Sequence, residues 1–308
     1  MFPWKWPALR RHMNRLSSKI ILSNAAAYFS NECRRGLSCA LGRNLCLPAR
    51  LIDIRLTYRC NLKCRQCHLW LQAARPELST QAWKRIILDI RNFMGPCFMR
   101  FDGGEPFYRE DFLELLDFCT RNDIASLVTT NGTLISQEIA GRLCQNQIAM
   151  VQISLDGFKP DTHDRLRGEK GVHQKALNAI ELLRSKVPVR INTTIMEDNL
   201  DELLSLAEFA RQRSIQISFQ PVMNYNATDL KDFFQPDRAF VPKDLQKLEG
   251  VIRVLAEEKR YAGTVINSSA QLSRMRDYFA SRPIQRKQCE IIYNRHLRIK
   301  PTGEVFIC

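Results

Sequence analysis

The sequence has no long hydrophobic run. Its longest apolar stretch near the start, residues 20–29, is broken by Ser23 and Asn24 and falls well short of the roughly 20 residues that cross a bilayer. The basic flank ahead of it is that of a secretory signal, but no small-residue cleavage pattern follows, so export is not expected. Acid is scarce at this end. Residues 1–50 carry nine Lys or Arg (Lys5, Arg10, Arg11, Arg15, Lys19, Arg34, Arg35, Arg43, Arg50) against Glu32 alone, which is +8 of the chain's +14. Low-complexity tracts and internal repeats are missing as well. These absences exclude a helical membrane span, a repeat solenoid and a long disordered chain. They leave 308 residues of ordinary globular composition, enough for one large domain with appendages.

Cysteine is abundant: eleven residues. The number is odd, and three of them, Cys60, Cys64 and Cys67, fall within eight positions. Such crowding in a chain without export signals points to metal binding and away from a disulfide framework. The basic N-terminal segment suits anionic lipid or an acidic partner protein. A solvated basic face accounts for it equally well. The expected location is cytoplasmic, with peripheral membrane contact through this segment, and no nucleic-acid role is expected.

From residue 50 the pattern alternates. Runs of period 2 predict strands over 51–57, 97–102, 126–130, 150–155, 189–195 and 215–222, and helical periodicity appears over 80–93, 110–121, 137–145, 173–185, 201–212 and 243–259. Six successive βα units imply parallel strands with right-handed crossovers. One face of these strands is polar: Asp53, Arg55 and Thr57; Arg100 and Asp102; Gln152, Ser154 and Asp156; Arg190, Asn192 and Thr194; Gln216, Ser218 and Gln220. Parallel sheets are normally covered on both faces and read as apolar throughout. A barrel lumen explains the polar face, and a sheet with one solvated face is the other reading. The expected fold is α/β, a partial (β/α)6 barrel over residues 50–264. A basic helical extension (1–49, with a helix over 7–29) precedes it. A C-terminal portion (265–308) adds a helix over 270–280 and a short hairpin over 295–307 turning at Pro301-Thr302-Gly303.

The cysteine triplet follows the first strand at its C-terminal end, where αβ barrels place their chemistry. Three thiolates leave one iron of a cubane without a protein ligand, the mark of a catalytic metal site. A structural zinc site wants a fourth donor, and only the adjacent His68 is at hand. In their C-x3-C-x2-C spacing Cys60, Cys64 and Cys67 resemble the signature of the radical S-adenosylmethionine (SAM) superfamily. That resemblance implies a [4Fe-4S] cluster whose open iron binds SAM. It also implies reductive cleavage to a 5′-deoxyadenosyl radical that abstracts hydrogen from substrate, with a protein reductant such as a flavodoxin or ferredoxin. Gly103-Gly104-Glu105-Pro106 looks like the family's motif for the SAM ammonium. Thr130-Asn131-Gly132 resembles its turn beside the ribose or methionine, Ser154 and Asp156 its ribose pair, and Arg167, in a loop at 163–168, a partner for the SAM carboxylate. Gln66 departs from the pattern, because many members carry an aromatic residue before the third cysteine to pack near the adenine.

Cys289, Gly303 and Cys308 resemble the opening of the SPASM or twitch extension, which builds auxiliary clusters. Its later cysteines do not occur, so the site reads as an incomplete auxiliary one, in a fragment or a degenerate extension. Cys97, Cys119 and Cys144 read as core residues, while Cys33, Cys39 and Cys46 are too loosely spaced for a site. No winged-helix leader-binding domain is expected in the first 49 residues. The implied activity is hydrogen abstraction from a peptide, a protein or a small biosynthetic substrate. The competing reading is a non-catalytic iron–sulfur or zinc protein, an electron carrier or assembly factor.

Overall fold

The computed structural model describes residues 51–223, 238–281 and 297–307, together with Leu22. The expected N-terminal extension is otherwise outside these residues, as are Cys33, Cys39, Cys46, Cys289 and Cys308. In chain order the elements are β1 (Leu51–Thr57), α1 (Thr80–Met94), β2 (Phe98–Gly103), α2 (Phe112–Arg121), β3 (Ala125–Thr130), α3 (Gln137–Gln145) and β4 (Ile148–Ser154). Then come α4 (Pro160–Arg167), α5 (Val172–Arg184), β5 (Val189–Ile195), α6 (Leu203–Gln212), β6 (Gln216–Pro221), α7 (Leu245–Tyr261), α8 (Ser269–Phe279), β7 (Leu297–Ile299) and β8 (Val305–Ile307). Helix starts follow local chemistry. The hydroxyls of Ser79 and Ser136 cap α1 and α3, Asp244 caps α7, and Ser268 with Gln271 forms a capping box on α8.

The strands lie in the order β6-β5-β4-β3-β2-β1-β7-β8 in one open sheet. Neighbours from β6 to β7 are parallel, and β8 runs antiparallel to β7. An unreversed order from β1 to β6 keeps every right-handed crossover on one side, whereas a doubly wound sheet reverses at a switch point. The main core accordingly lies between the helices and one strand face. It joins Ile52, Ile54, Leu56, Phe101, Val151, Ile191 and Phe219 to Trp83, Ile87, Leu116, Ile180 and Leu206. The other face carries the polar positions above a smaller apolar plug, Ala125, Leu127, Ala149 and Met150, backed by Leu51 and Phe98. This is the expected partial barrel.

Three expectations change. The loop read at 163–168 is the end of helix α4, which has Pro160 at its first turn and Gly168, at φ +78°, as its left-handed cap. The helix escaped notice because it is eight residues long and mostly polar. The C-terminal hairpin extends the barrel sheet by pairing β7 with β1, and its turn is tied down by Leu78 N–H donating to Pro301 O at 2.8 Å. Of the three cysteines read as core, Cys97 and Cys119 are buried but Cys144 is exposed. Helix α3 turns Ala140 and Leu143 inward, and Cys144 follows one residue later, about 100° around the helix. No helix among the described residues is long and apolar enough to cross a membrane.

These burials predict a labelling pattern. Under native conditions a maleimide reagent modifies Cys144 rapidly and leaves Cys97 and Cys119 untouched until denaturant is added, as read by peptide mapping. Modification of Cys119 at the Cys144 rate contradicts the packing of α2.

Candidate functional site

The cysteine loop leaves β1 through a dense set of hydrogen bonds. Thr57 Oγ1 donates to Glu77 Oε1 at 2.6 Å, and Tyr58 N–H donates to the same oxygen at 2.9 Å. Arg109, buried to 7% exposure, holds Glu77 from the other side while gripping Asp111 through two nitrogens. The loop then passes over the end of β2. Gly104 N–H donates to Thr57 O and Glu105 N–H to Arg59 O, at 2.8 and 2.9 Å. A Cβ on Gly104 would stand 2.1 Å from Arg59 O, and one on Gly103 2.3 Å from Thr57 O. The paired glycines are thus required by the crossing of the cysteine loop, before any ligand enters. On its far side the loop is held by Arg65 N–H donating to Leu166 O of α4 at 2.9 Å. Cys64 is buried beside Leu62 and Val172, and Cys60 and Cys67 pack against them.

Glu105 is 1% exposed. Its Oε1 accepts from Thr130 Oγ1 at 2.7 Å and Phe107 N–H at 3.2 Å, and its Oε2 accepts from Asn131 N–H at 2.8 Å. Burial pushes its carboxyl up to about 7, and the three donors offset this only in part. Asn131 continues the chain of contacts. Its Nδ2 donates to Asn61 Oδ1 at 2.9 Å and lies 3.9 Å from Cys60 Sγ. One carboxylate therefore ties the ends of β2 and β3 to the cysteine loop.

Asp156, just past β4, has no exposed surface. Its Oδ2 accepts from Gln66 Nε2 at 2.9 Å and pairs with Arg167 at 2.8 Å, while Oδ1 accepts from Thr194 N–H at 2.8 Å. Its own N–H donates to His163 Nδ1 at 3.1 Å. His163 is pushed down to about 2 by burial, helped by Arg167 and His173, and so is neutral and able to accept. Arg167 reaches on to Cys64 Sγ at 3.9 Å. Burial pulls its pKa down, but Asp156 and Cys64 more than offset that and hold it above the ordinary value. The Ser-x-Asp pair expected to hold ribose hydroxyls thus divides. Ser154 is half-buried on the inner face, and Asp156 has both oxygens engaged by protein. Asp156 Oδ1 accepts a single bond and keeps acceptor capacity beyond it. Gln66, noted in the sequence only as a departure, is the link between the cysteine loop and this carboxylate. Glu77 and Arg109 were missed because neither belongs to a short motif, and His163, in the segment 163–168, was given no role of its own.

Below these loops the lumen is polar and cross-linked. Asp53 takes Arg100 at 2.5 Å and Arg298 at 3.1 Å, Arg190 donates to Gln216 at 3.0 Å, and Asn192 accepts from Ser218 and Gln220.

The donor set fits an iron–sulfur cubane. Cys60, Cys64 and Cys67 lie on one loop, and the charges of Cys64 and Cys67 are felt at Cys60. Burial pushes Cys60 up to about 12 and raises Cys64 as well, so a cluster would have to displace thiol protons. Among the described residues no three His, Cys, Asp or Glu side chains converge on a single-ion site. A cubane takes each thiolate on a separate iron, so it does not require such convergence. Three features suit a polar organic ligand beside it: the Ser154 hydroxyl and the buried, unpartnered atoms Gln66 Oε1 and Arg167 Nε.

Comparison with known proteins gives the following. Residues 54–210 match the family model described as the radical SAM superfamily. An AdoMet-dependent heme synthase of Methanosarcina barkeri is 34% identical over 166 residues, covering 53% of this chain and 47% of the relative. A PqqA peptide cyclase of Rhodopseudomonas palustris is 30% identical over 260 residues, covering 83% of this chain and 66% of the relative. The chain thus spans about half to two thirds of the length of these relatives. Among solved structures, Streptococcus suis SuiB bound to S-adenosylmethionine superposes with a TM-score of 0.65 at 19% identity, over 90% of this chain and 64% of that one, which shows the shared fold.

The buried Glu105 makes stability depend on pH. A carboxyl held near 7 in the folded chain, against an ordinary 4.5, binds its proton more tightly folded than unfolded. Its contribution is complete below about pH 4.5 and is lost as pH rises through 7. Urea denaturation of cluster-free protein therefore shows a fall of roughly 3 kcal/mol across that window, which Glu105→Gln flattens. A native profile without this fall contradicts the burial.

Proposed function

The chain belongs to the radical SAM superfamily, and from that membership we propose that it is of the SPASM/twitch type and that Cys60, Cys64 and Cys67 hold a [4Fe-4S] cluster that works with bound SAM. When bound, these groups supply reductive cleavage of SAM to a 5′-deoxyadenosyl radical that abstracts hydrogen from substrate. The observation that carries the reading is the two sets of bonds that fasten the cysteine loop: Cys60 and Asn61 through Asn131 to Glu105 at the ends of β2 and β3, and Gln66 and Cys64 through Asp156 and Arg167 at the end of β4.

The chain's own residues bind, orient and exclude water. Arg167, 3.9 Å from Cys64 Sγ, favours the thiolate over the thiol. Glu105 Oε2 keeps acceptor capacity beyond its bond from Asn131 and suits the SAM ammonium beside Gly103 and Gly104. Asn131 borders the same end. Arg167 Nε, unpartnered at present, suits the SAM carboxylate, and the Ser154 hydroxyl suits the ribose. Asp156 acts chiefly through Gln66 and Arg167, holding both toward the cysteine loop. Exposed Arg59, Lys63 and Arg65 on that loop form a cationic rim fitted to an acidic reductant such as a flavodoxin or ferredoxin. The substrate class is a peptide, a protein or a small biosynthetic molecule. Relatives named for peptide cyclisation and heme synthesis support that range. Residues 1–49, 50–264 and 265–308 are the proposed divisions. The first is a candidate for peripheral membrane contact, and Cys289 with Cys308 for an incomplete auxiliary site.

Two experiments test this. Anaerobically reconstituted protein with dithionite forms 5′-deoxyadenosine from SAM, and Cys64→Ala abolishes both the formation and the cluster absorbance; a variant that still cleaves SAM fully would falsify the assignment. In Asp156→Asn, SAM affinity falls roughly ten- to hundredfold, the equivalent of about 1.5–3 kcal/mol. Iron per chain falls with it, since Gln66 and Arg167 lose their anchor. Lower SAM affinity at full iron content would instead put Asp156 on the ligand alone.

A further inference from the structure

Strands β1 and β2 present two consecutive inward rungs of opposite charge. At the lower rung Asp53 faces Arg100, and at the upper rung Arg55 faces Asp102. The lower pair is bonded at 2.5 Å, and Arg298 joins it from β7. The upper pair has the same cross-strand geometry with its signs exchanged, yet it behaves differently. Arg55 Nε and Asp102 Oδ1 are both buried without a hydrogen-bond partner, as is Arg100 Nε in the rung below, so the two rungs differ in their ion pairing. No ion pair joins Arg55 and Asp102. A half-buried carboxylate and guanidinium left unbonded are costly, and the rung beneath shows that the strand spacing permits bonding.

The position of the upper rung gives it a use. Asp102 immediately precedes Gly103, and Arg55 Cγ lies 3.3 Å from where a Gly103 Cβ would stand. The pair therefore lies directly beneath the Gly103-Gly104-Glu105 turn, on the lumen side. Its neighbours there bring an excess of positive charge, because Arg55, Arg100, Arg190 and Arg298 outnumber Asp53 and Asp102. Arg190 registers this: burial, and then Arg100 across the lumen, push it down to about 10. A guanidinium takes a carboxylate through two parallel N–H groups. A carboxylate one strand away, about 4.8 Å across the sheet, takes an N–H donor. The two together match an amino-acid unit that bears a carboxylate and an N–H a few bonds apart.

We infer that Arg55 and Asp102 form a substrate subsite in the lumen that binds a carboxylate-bearing amino-acid unit, with the carboxylate on Arg55 and its N–H on Asp102. The inference rests on the proposed function for the neighbouring SAM site and names the substrate chemistry beneath it. Two sources share that chemistry, an acidic side chain within a peptide and a free C-terminus.

The full-length, reconstituted chain is saturated with S-adenosylhomocysteine, whose own affinity is measured first, and is then titrated calorimetrically with three probes. They are acetyl-Gly-Glu-Gly amide, its Gln counterpart, and acetyl-triglycine with a free carboxylate. A carboxylate probe binds at least about tenfold tighter than the Gln peptide. Preference for the Glu peptide assigns the subsite to an acidic side chain, and preference for acetyl-triglycine assigns it to a C-terminus. Arg55→Gln removes most of that advantage, Arg55→Lys restores part of it, and Asp102→Asn weakens the same probe. Equal binding of all three probes by the native chain overturns the subsite without recourse to any variant. An undiminished advantage in Arg55→Gln, or a loss of S-adenosylhomocysteine affinity as large as the loss of probe affinity, overturns it too. Failure of S-adenosylhomocysteine to bind the native chain counts against the proposed function, and the probe comparison still decides the subsite.

Discussion

The site depends on one buried carboxylate. Asp156 has no exposed surface, and a charge so placed persists only when its oxygens are bonded. Its partners come from three parts of the chain: Gln66 of the cysteine loop, Arg167 at the end of α4, and the backbone of β5 at Thr194. The requirement to satisfy one side chain thus determines where a loop, a helix terminus and a strand end meet. Removing a single partner from such a group leaves a buried charge exposed to a low-dielectric surrounding. That gives the assembly its rigidity, and it is why Asp156 reads as a support for the site more than as a surface of it.

A second constraint acts through close backbone approach. The cysteine loop crosses the end of β2 so tightly that neither Gly103 nor Gly104 has room for a Cβ. The hydrogen bonds at this crossing, Gly104 N–H to Thr57 O and Glu105 N–H to Arg59 O, lock the two strand ends together. Glu105 then carries the connection to β3 through Thr130 and Asn131. Catalysis by a bound cofactor needs its reactive atom held in place, and rigid elements do this better than free loops. Here the loop is made rigid by fastening it to three strand ends and a helix.

The lumen beneath is built in a complementary way. Apolar side chains plug its lower end, and charged and amide side chains bond one another across strands above the plug. Several of these groups are matched by a neighbour on the adjacent strand, as in Asp53 with Arg100 and Asn192 with Ser218, whereas no ion pair joins Arg55 and Asp102. The helices cover only the outward face, so the polar interior has no competing layer to bury it.

The sequence by itself determined the βα alternation, all six strands of the barrel to within two residues and the inward polar positions, because each is a local periodicity. It also carried the cysteine triplet and the strand-end motifs, since their residues are contiguous. Only the tertiary structure decided that Gln66 and Asp156 are partners, that Glu77 and Arg109 hold the loop entry, and that β7 adds to β1. These are contacts between residues 90, 32 and some 245 positions apart. No local pattern encodes them, because they arise when the sheet brings distant strand ends to one edge. The same reason underlies Cys144: its exposure was set by a helix rotation of about 100°, and what decides that rotation is the core the helix packs against.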